Sequence, residues 1–191
     1  MINKIKNKIR NISLLHTKTT KFIDLDKHDL YDSNFEYLDN IMKYYLDLHD
    51  GIDEMEVIRE DYYLLLINIS KIYKLINKCI NYLNKWFELD VDKYREVSLI
   101  YDYGYGNYLV DLVEVYKENY DNLEINIKEL FDLYDLNYHI SESDYYLLFC
   151  LLGKIDKIKF SKDIECNKKN INVLIKYVES VHLFLEEYEK N

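Results

Sequence analysis

The sequence predicts a mainly α protein: six to eight helices in one bundle-like domain, with one small β-hairpin near residues 96–110. Three observations carry that expectation. Over two long segments, apolar residues recur at alternating spacings of four and three, which places them on one stripe of a helix. The 191 residues include no Pro and only four Gly, so little interrupts those stripes. One short stretch alternates apolar and polar residues instead, and two of the four glycines follow it directly.

In chain order, a first helix is expected at about residues 2–15. Its start, Met1-Ile-Asn-Lys-Ile-Lys-Asn-Lys-Ile-Arg10, is basic but has no apolar run behind it, so it does not read as a signal peptide. Residues 1–10 are the part of the domain that could stay loose. Ser33 with Glu36 reads as a capping box opening a helix that Gly51 closes. Between Glu60 and Leu89, the residues Leu65, Ile69, Ile72, Ile76, Cys79, Leu83 and Trp86 form one stripe on a single helix. At 3.6 residues per turn, that helix is about eight turns long.

Val97-Ser-Leu99-Ile-Tyr101 then alternates like a strand, Asp102-Tyr-Gly104-Tyr-Gly106 reads as a turn, and Tyr108-Leu-Val110 as a short returning strand. Shorter helices follow at about 110–120 and 125–136. Ser141 with Asp144 opens a second capping-box helix, closed by Gly153, and the stripe Ile171, Leu174, Val178, Val181, Leu185 and Tyr188 marks the C-terminal helix. The pentapeptide Asp-Tyr-Tyr-Leu-Leu begins at both Asp61 and Asp144, but its flanks do not match. Both copies read as helix N-termini, where Asp complements the dipole.

Composition bounds the function classes. Hydrophobic residues make up 49% of the chain, enough for a core. With 25 Lys and Arg against 35 Asp and Glu, the net charge is −10. That balance argues against nucleic acid, whose backbone is bound by displacing counterions with cations, and it favours a protein partner of basic character. The longest uncharged apolar runs, Tyr62–Ser70 and Tyr145–Gly153, fall well short of the roughly 20 residues a membrane helix needs, so no membrane partner is expected. Cys79, Cys150 and Cys166 form no close-spaced pair, which suits a reducing cytoplasm. The 21 Tyr and 18 Asn, with no Ala and no Gln, follow the codon bias of an AT-rich genome more than a functional choice.

The five histidines are scattered, with no two at the spacing that aims both at one ion. Asp24, Asp26 and Asp29 begin like a calcium loop, but Asp29 stands where Gly is needed and Phe35 where Glu is needed. Gly104-x-Gly106 lacks the rest of a phosphate-cradling loop, and there is no nucleophile elbow. An Asp-x4-Asn spacing occurs at 29/34, 102/107, 121/126 and 132/137, so spacing alone singles out none of them. The strand–turn–strand setting distinguishes Asp102 and Asn107. On the residues alone they are also ordinary turn formers.

In that setting the run Ser98-Leu-Ile100-Tyr-Asp102-Tyr-Gly104-Tyr-Gly106-Asn107 resembles the catalytic loop of aminoglycoside-phosphotransferase-like kinases, His-Gly-Asp-x-His-x-x-Asn between two short strands. Leu14-Leu-His16-Thr-Lys18-Thr, the segment from Asp61 through Ser70-Lys-Ile72 to Trp86, and Leu147-Leu148 through Lys157-Ile158 are similar, in the same order, to pieces of the spore-coat kinase-like branch of that superfamily. The likeness runs from about Ile9 onward through the C-terminal, mainly helical lobe.

The resemblance implies that Asp102 would be the catalytic residue that orients and deprotonates a hydroxyl, and that Asn107 would hold the magnesium ion. Ile100 and Gly104 replace the two histidines. The nucleotide lobe and its ATP-anchoring Lys find no room before residue 10. Asp111 follows Asn107 too closely to be the second metal-binding Asp, and Asp121 follows a helical segment. The expectation is therefore a non-catalytic binding or scaffold protein resembling a kinase-like C-lobe, with no cofactor. The alternatives are a phosphotransferase using ATP and Mg, completed by a partner chain, or an unrelated acidic helical partner-binding protein. The C-lobe reading requires the hairpin to sit on the helices with Asp102 exposed in a cleft.

Overall fold

The computed structural model describes residues 2–91, 93–102, 104–122 and 126–190. Helix α4 (Ile69–Glu88) is the axis of assembly. Its stripe residues Ile69, Ile72, Ile76, Cys79, Leu83 and Trp86 are all buried, each worth about 1.5–3 kcal/mol of transfer free energy for a large side chain. Around it pack α2 (Lys27–Asp53), α7 (Glu142–Leu152) and α8 (Ile164–Glu189). Helix α3 (Glu60–Leu66) leans on α8, α5 (Leu109–Asn119) packs on α7, and α6 (Ile127–Asp135) packs on α1 (Ile2–Thr19). The described residues thus form eight helices in a mainly α fold. Helix α1 includes residues 2–10: Ile9 is buried, and Lys8 pairs with Glu118 at 2.7 Å.

The β structure is larger than a hairpin. Strands β1 (Lys21–Asp24), β2 (Lys93–Ser98) and β3 (Tyr105–Asn107) form one antiparallel sheet in that order, with Lys21 opposite Glu96 and Glu96 opposite Asn107. Strand β1 is an edge strand of four residues with Phe22 70% exposed, and its partner lies some seventy positions downstream. No local turn announces so distant a pairing. The strands also lie upstream of their expected places. Ile100 and Tyr101 give their backbone N–H groups to the Asp111 carboxylate instead of a strand partner, so β2 ends at Ser98. Asn107 Oδ1 accepts the Leu109 N–H, an Asx turn that starts α5 where a returning strand over 108–110 was expected.

Three helix boundaries also depart from expectation. Asp26 caps α2 through the Asp29 N–H, whereas Ser33 lies inside the helix and returns its hydroxyl to the Leu30 carbonyl. Helix α2 runs through Gly51 to Asp53 because Ile52 is drawn fully into the core. The helix expected over 60–89 breaks at Ile67–Asn68, where Asn68 Nδ2 donates to the Leu64 carbonyl and competes with the helical ladder. The stripe survives the break, since Leu65 is buried with the rest.

The Ser141–Asp144 capping box is present, and Gly153 closes α7. Both Asp61 and Asp144 stand in first helical turns. In α8, Ile171, Val178, Val181 and Leu185 are buried, with Leu174 and Tyr188 packed against the core. Among the described residues, no helix is long and apolar enough to cross a membrane.

Candidate functional site

The hairpin bearing Asp102 and Asn107 is anchored from below. Strand β2 lies on α1, where Thr19 Oγ1 accepts the Ser98 N–H at 3.0 Å. Leu99 then donates its N–H to the Gly104 carbonyl at 2.8 Å, closing the turn, while its side chain is buried. A Cβ on Gly106 would come within 2.9 Å of Leu99 Cδ1, so Gly here permits the close crossing of the two strands.

Beyond Leu99 the loop backbone is held by Asp111, in the first turn of α5 and wholly buried. Its Oδ2 accepts Ile100 N–H at 3.0 Å and its Oδ1 accepts Tyr101 N–H at 3.2 Å. His16 Nε2 lies 3.0 Å from Asp111 Oδ2, and His16 Nδ1 lies 2.6 Å from the Tyr134 hydroxyl. A neutral ring satisfies both contacts with one placement of protons: Nε2–H donates to Asp111, and Tyr134 O–H donates to Nδ1. Burial pushes the Tyr134 hydroxyl well above the usual tyrosine range, so the proton stays in place to be donated.

Asp102 stands exposed at the bend, with no hydrogen bond or ion pair to the described residues. Tyr103, part of the expected turn, lies outside the described residues. Asn107 is half-buried at the end of β3, and its Oδ1 is engaged with Leu109 N–H at 2.9 Å. The structure therefore carries the two residues on one hairpin but gives them different surroundings.

Beside Asn107 opens a groove of about 450 Å³, whose lining includes Trp86, Arg95, His139, Ser141 and Asp144 but not Asp102. Lys93, Arg95 and Asp144 are its charged residues. Of the two cations, Arg95 is the better anchored among the described residues. Its guanidinium lies 4.7 Å from the ring centroids of both Tyr108 and Tyr138, and it donates to the Tyr108 hydroxyl at 2.9 Å and to Asp144 Oδ2. The same Asp144 oxygen accepts Ser141 N–H at 3.2 Å in the capping box. Arg95 thereby ties the sheet to the start of α7, its charge offset by a carboxylate that also caps that helix.

Phosphoryl transfer rests on positioning and on neutralising charge at the phosphates. On this hairpin, the carboxylate without a partner among the described residues is that of Asp102. Asp111 has both oxygens engaged with His16 and with the loop amides. Asp111, too close to Asn107 to be a second metal-binding Asp, and His16, one of five scattered histidines, were not expected to meet. No local pattern links either to Tyr134, because the three come together only through α1, α5 and α6. Among the described residues, no group of three or more His, Cys, Asp or Glu side chains is placed to hold a metal ion. No family model, no curated protein and no solved structure matches this chain.

Proposed function

We propose that this chain is a helical binding or scaffold protein of the kind a kinase-like C-terminal lobe provides, and that it does not itself transfer phosphate. The supporting observation is the engagement of Asn107 Oδ1 with the Leu109 N–H, which turns toward a helix start the oxygen that would face magnesium. The likeness to a C-lobe draws on the hairpin's seat against α1 and α5; Asp102 is exposed at its turn but outside the groove beside Asn107, so the cleft that the reading requires lends it no support. Titration calorimetry with ATP and magnesium tests the reading. The expected result is no binding that depends on Asp102. Stoichiometric binding abolished by Asp102→Ala would overturn it.

One observation favours a second reading, a phosphotransferase completed by a partner chain: the Asp102 carboxylate has no partner among the described residues and is carried on a loop whose backbone Asp111 holds by two hydrogen bonds. Its signature would be phosphate transfer by the chain with its partner that is lost in Asp102→Asn.

A further inference from the structure

The segment from Lys154 to Ser161 joins α7 to α8 without forming a helix or a strand. Tyrosines of α2 hold it down: Tyr37 O–H donates to the Ile155 carbonyl at 3.3 Å, Tyr45 O–H to the Asp156 carbonyl at 2.9 Å, and Tyr44 O–H to the Ile158 carbonyl. No backbone N–H from Asp156 to Lys159 donates to a protein acceptor among the described residues. The strap is fixed in place yet still has donors to give.

Between this strap and the helices α5 and α8 lies a groove of about 410 Å³, a size typical of small-molecule sites. Ile155, Ile158, Leu174 and Tyr177 give it an apolar lining, and Lys117, Lys154, Lys157 and Lys159 add four cations on a chain of net charge −10. Some lysines elsewhere meet carboxylates, as in Lys71–Glu179, Lys78–Glu189 and Lys168–Glu60. Of the four in the groove, only Lys117 does so among the described residues, through Glu114 at 3.0 Å. Lys154 and Lys157 rest against the rings of Tyr37 and Tyr44, with their ammonium groups 5.1 and 5.2 Å from the centroids. Burial holds the Lys154 amine below the usual lysine range, the mark of a desolvated cation with no carboxylate partner. The one carboxylate lining the groove is Asp156.

We propose that this groove binds a small amphiphilic phosphate monoester, with its apolar body on Ile155, Ile158, Leu174 and Tyr177 and its phosphate among the lysines of the strap. Three ammonium groups without ion-pair partners among the described residues, set against Asp156, leave two positive charges, which matches a phosphate dianion better than a carboxylate. The inference is independent of the reading of the hairpin, whose residues do not line this groove.

Octyl phosphate titrated into the full chain by calorimetry tests it, with octanol and inorganic phosphate as comparators. Octyl phosphate should bind saturably at one site and more tightly than either comparator. The double variant Lys154→Met/Lys157→Met should weaken it at least about tenfold. Lys159→Gln, at an exposed position that cannot disturb folding, should also weaken it, and Asp156→Asn should strengthen it. Absence of saturable binding, octanol or inorganic phosphate binding as tightly, or affinities unmoved by Lys159→Gln and Asp156→Asn would each overturn the proposal.

Discussion

His16 Nε2 and Asp111 Oδ2 meet at 3.0 Å with neither side chain exposed to solvent, and this contact joins the first helix to the underside of the hairpin loop. Asp111 does the work of a missing strand partner for Ile100 and Tyr101. Replacing it with Ala leaves two amides and a ring N–H without an acceptor, at a cost of about 3 kcal/mol. Tyr134→Phe removes one donor and should cost about 1 kcal/mol. Urea unfolding reads both losses. Hydrogen exchange should show the Ile100 and Tyr101 amides opening in Asp111→Ala, and protection equal to the parent's would refute this role.

Asp102 and Asn107 should separate by stability. Asp102→Ala removes a solvated side chain and should stay within about 0.5 kcal/mol of the parent. Asn107→Ala forfeits the acceptor for Leu109 N–H at the start of α5 and should cost about 1 kcal/mol. Equal midpoints for the two variants in thermal unfolding would contradict the roles assigned.

Gly153 is small because of Cys79, not because of its backbone angles, which are those of an ordinary helical residue. A Cβ at 153 would stand 2.3 Å from Cys79 Sγ. Gly153→Ala should therefore destabilise by about 1–3 kcal/mol through overpacking. Adding Cys79→Ala should recover part of that loss, a coupling that a double-mutant cycle in urea measures. Strict additivity would show that the two sites do not compete for space.

Cys79 and Cys150 are buried and Cys166 is exposed. Burial raises the Cys79 thiol well above its usual range and pushes Cys150 up to about 12, so neither offers thiolate near neutrality. A colorimetric disulfide reagent should titrate one thiol in the native chain and three after denaturation. Rapid reaction of more than one native thiol would refute the packing described.

Asp61 is buried where α3 meets α8, accepting from Arg59 Nε at 3.0 Å and from Asn167 Nδ2 at 2.7 Å. The Arg59 hydrogen bond chiefly, aided by Asn167, holds its carboxyl below the usual carboxylate range. Because the folded value lies below the unfolded one of about 4, its contribution is complete above that pH and is lost as pH falls through the folded value. Unfolding midpoints measured across acid pH should fall less steeply in Asp61→Asn than in the parent. Identical slopes would remove Asp61 from the acid response.

Much of the helical framework was readable in order along the chain. The stripes from Leu65 to Trp86 and from Ile171 to Leu185 proved buried, and Ser141–Asp144 capped α7, because periodicity and capping act within a few residues. The candidate site was less readable. Asp102 and Asn107 could be named from their turn, but the groove of lysines joins Lys117 to the 154–159 strap and to α8, segments with no shared local pattern. Asp26 outcompeted Ser33 as a cap, and Gly51 failed to stop a helix, because Ile52 had a core to enter.

The sequence by itself determined the two long stripes, Leu65 to Trp86 and Ile171 to Leu185, and the face that each turns to the core, since an apolar stripe at helical spacing leaves water by packing that face. Tertiary structure alone decided where β2 stops, because the amides of Ile100 and Tyr101 had to be satisfied and Asp111 reached them first. It alone decided that β1 exists, since Lys21 pairs with Glu96 some seventy positions away, with α1 packed on β2. Hydrogen-bond satisfaction between distant segments is a property of the folded chain, and no local spacing encodes it.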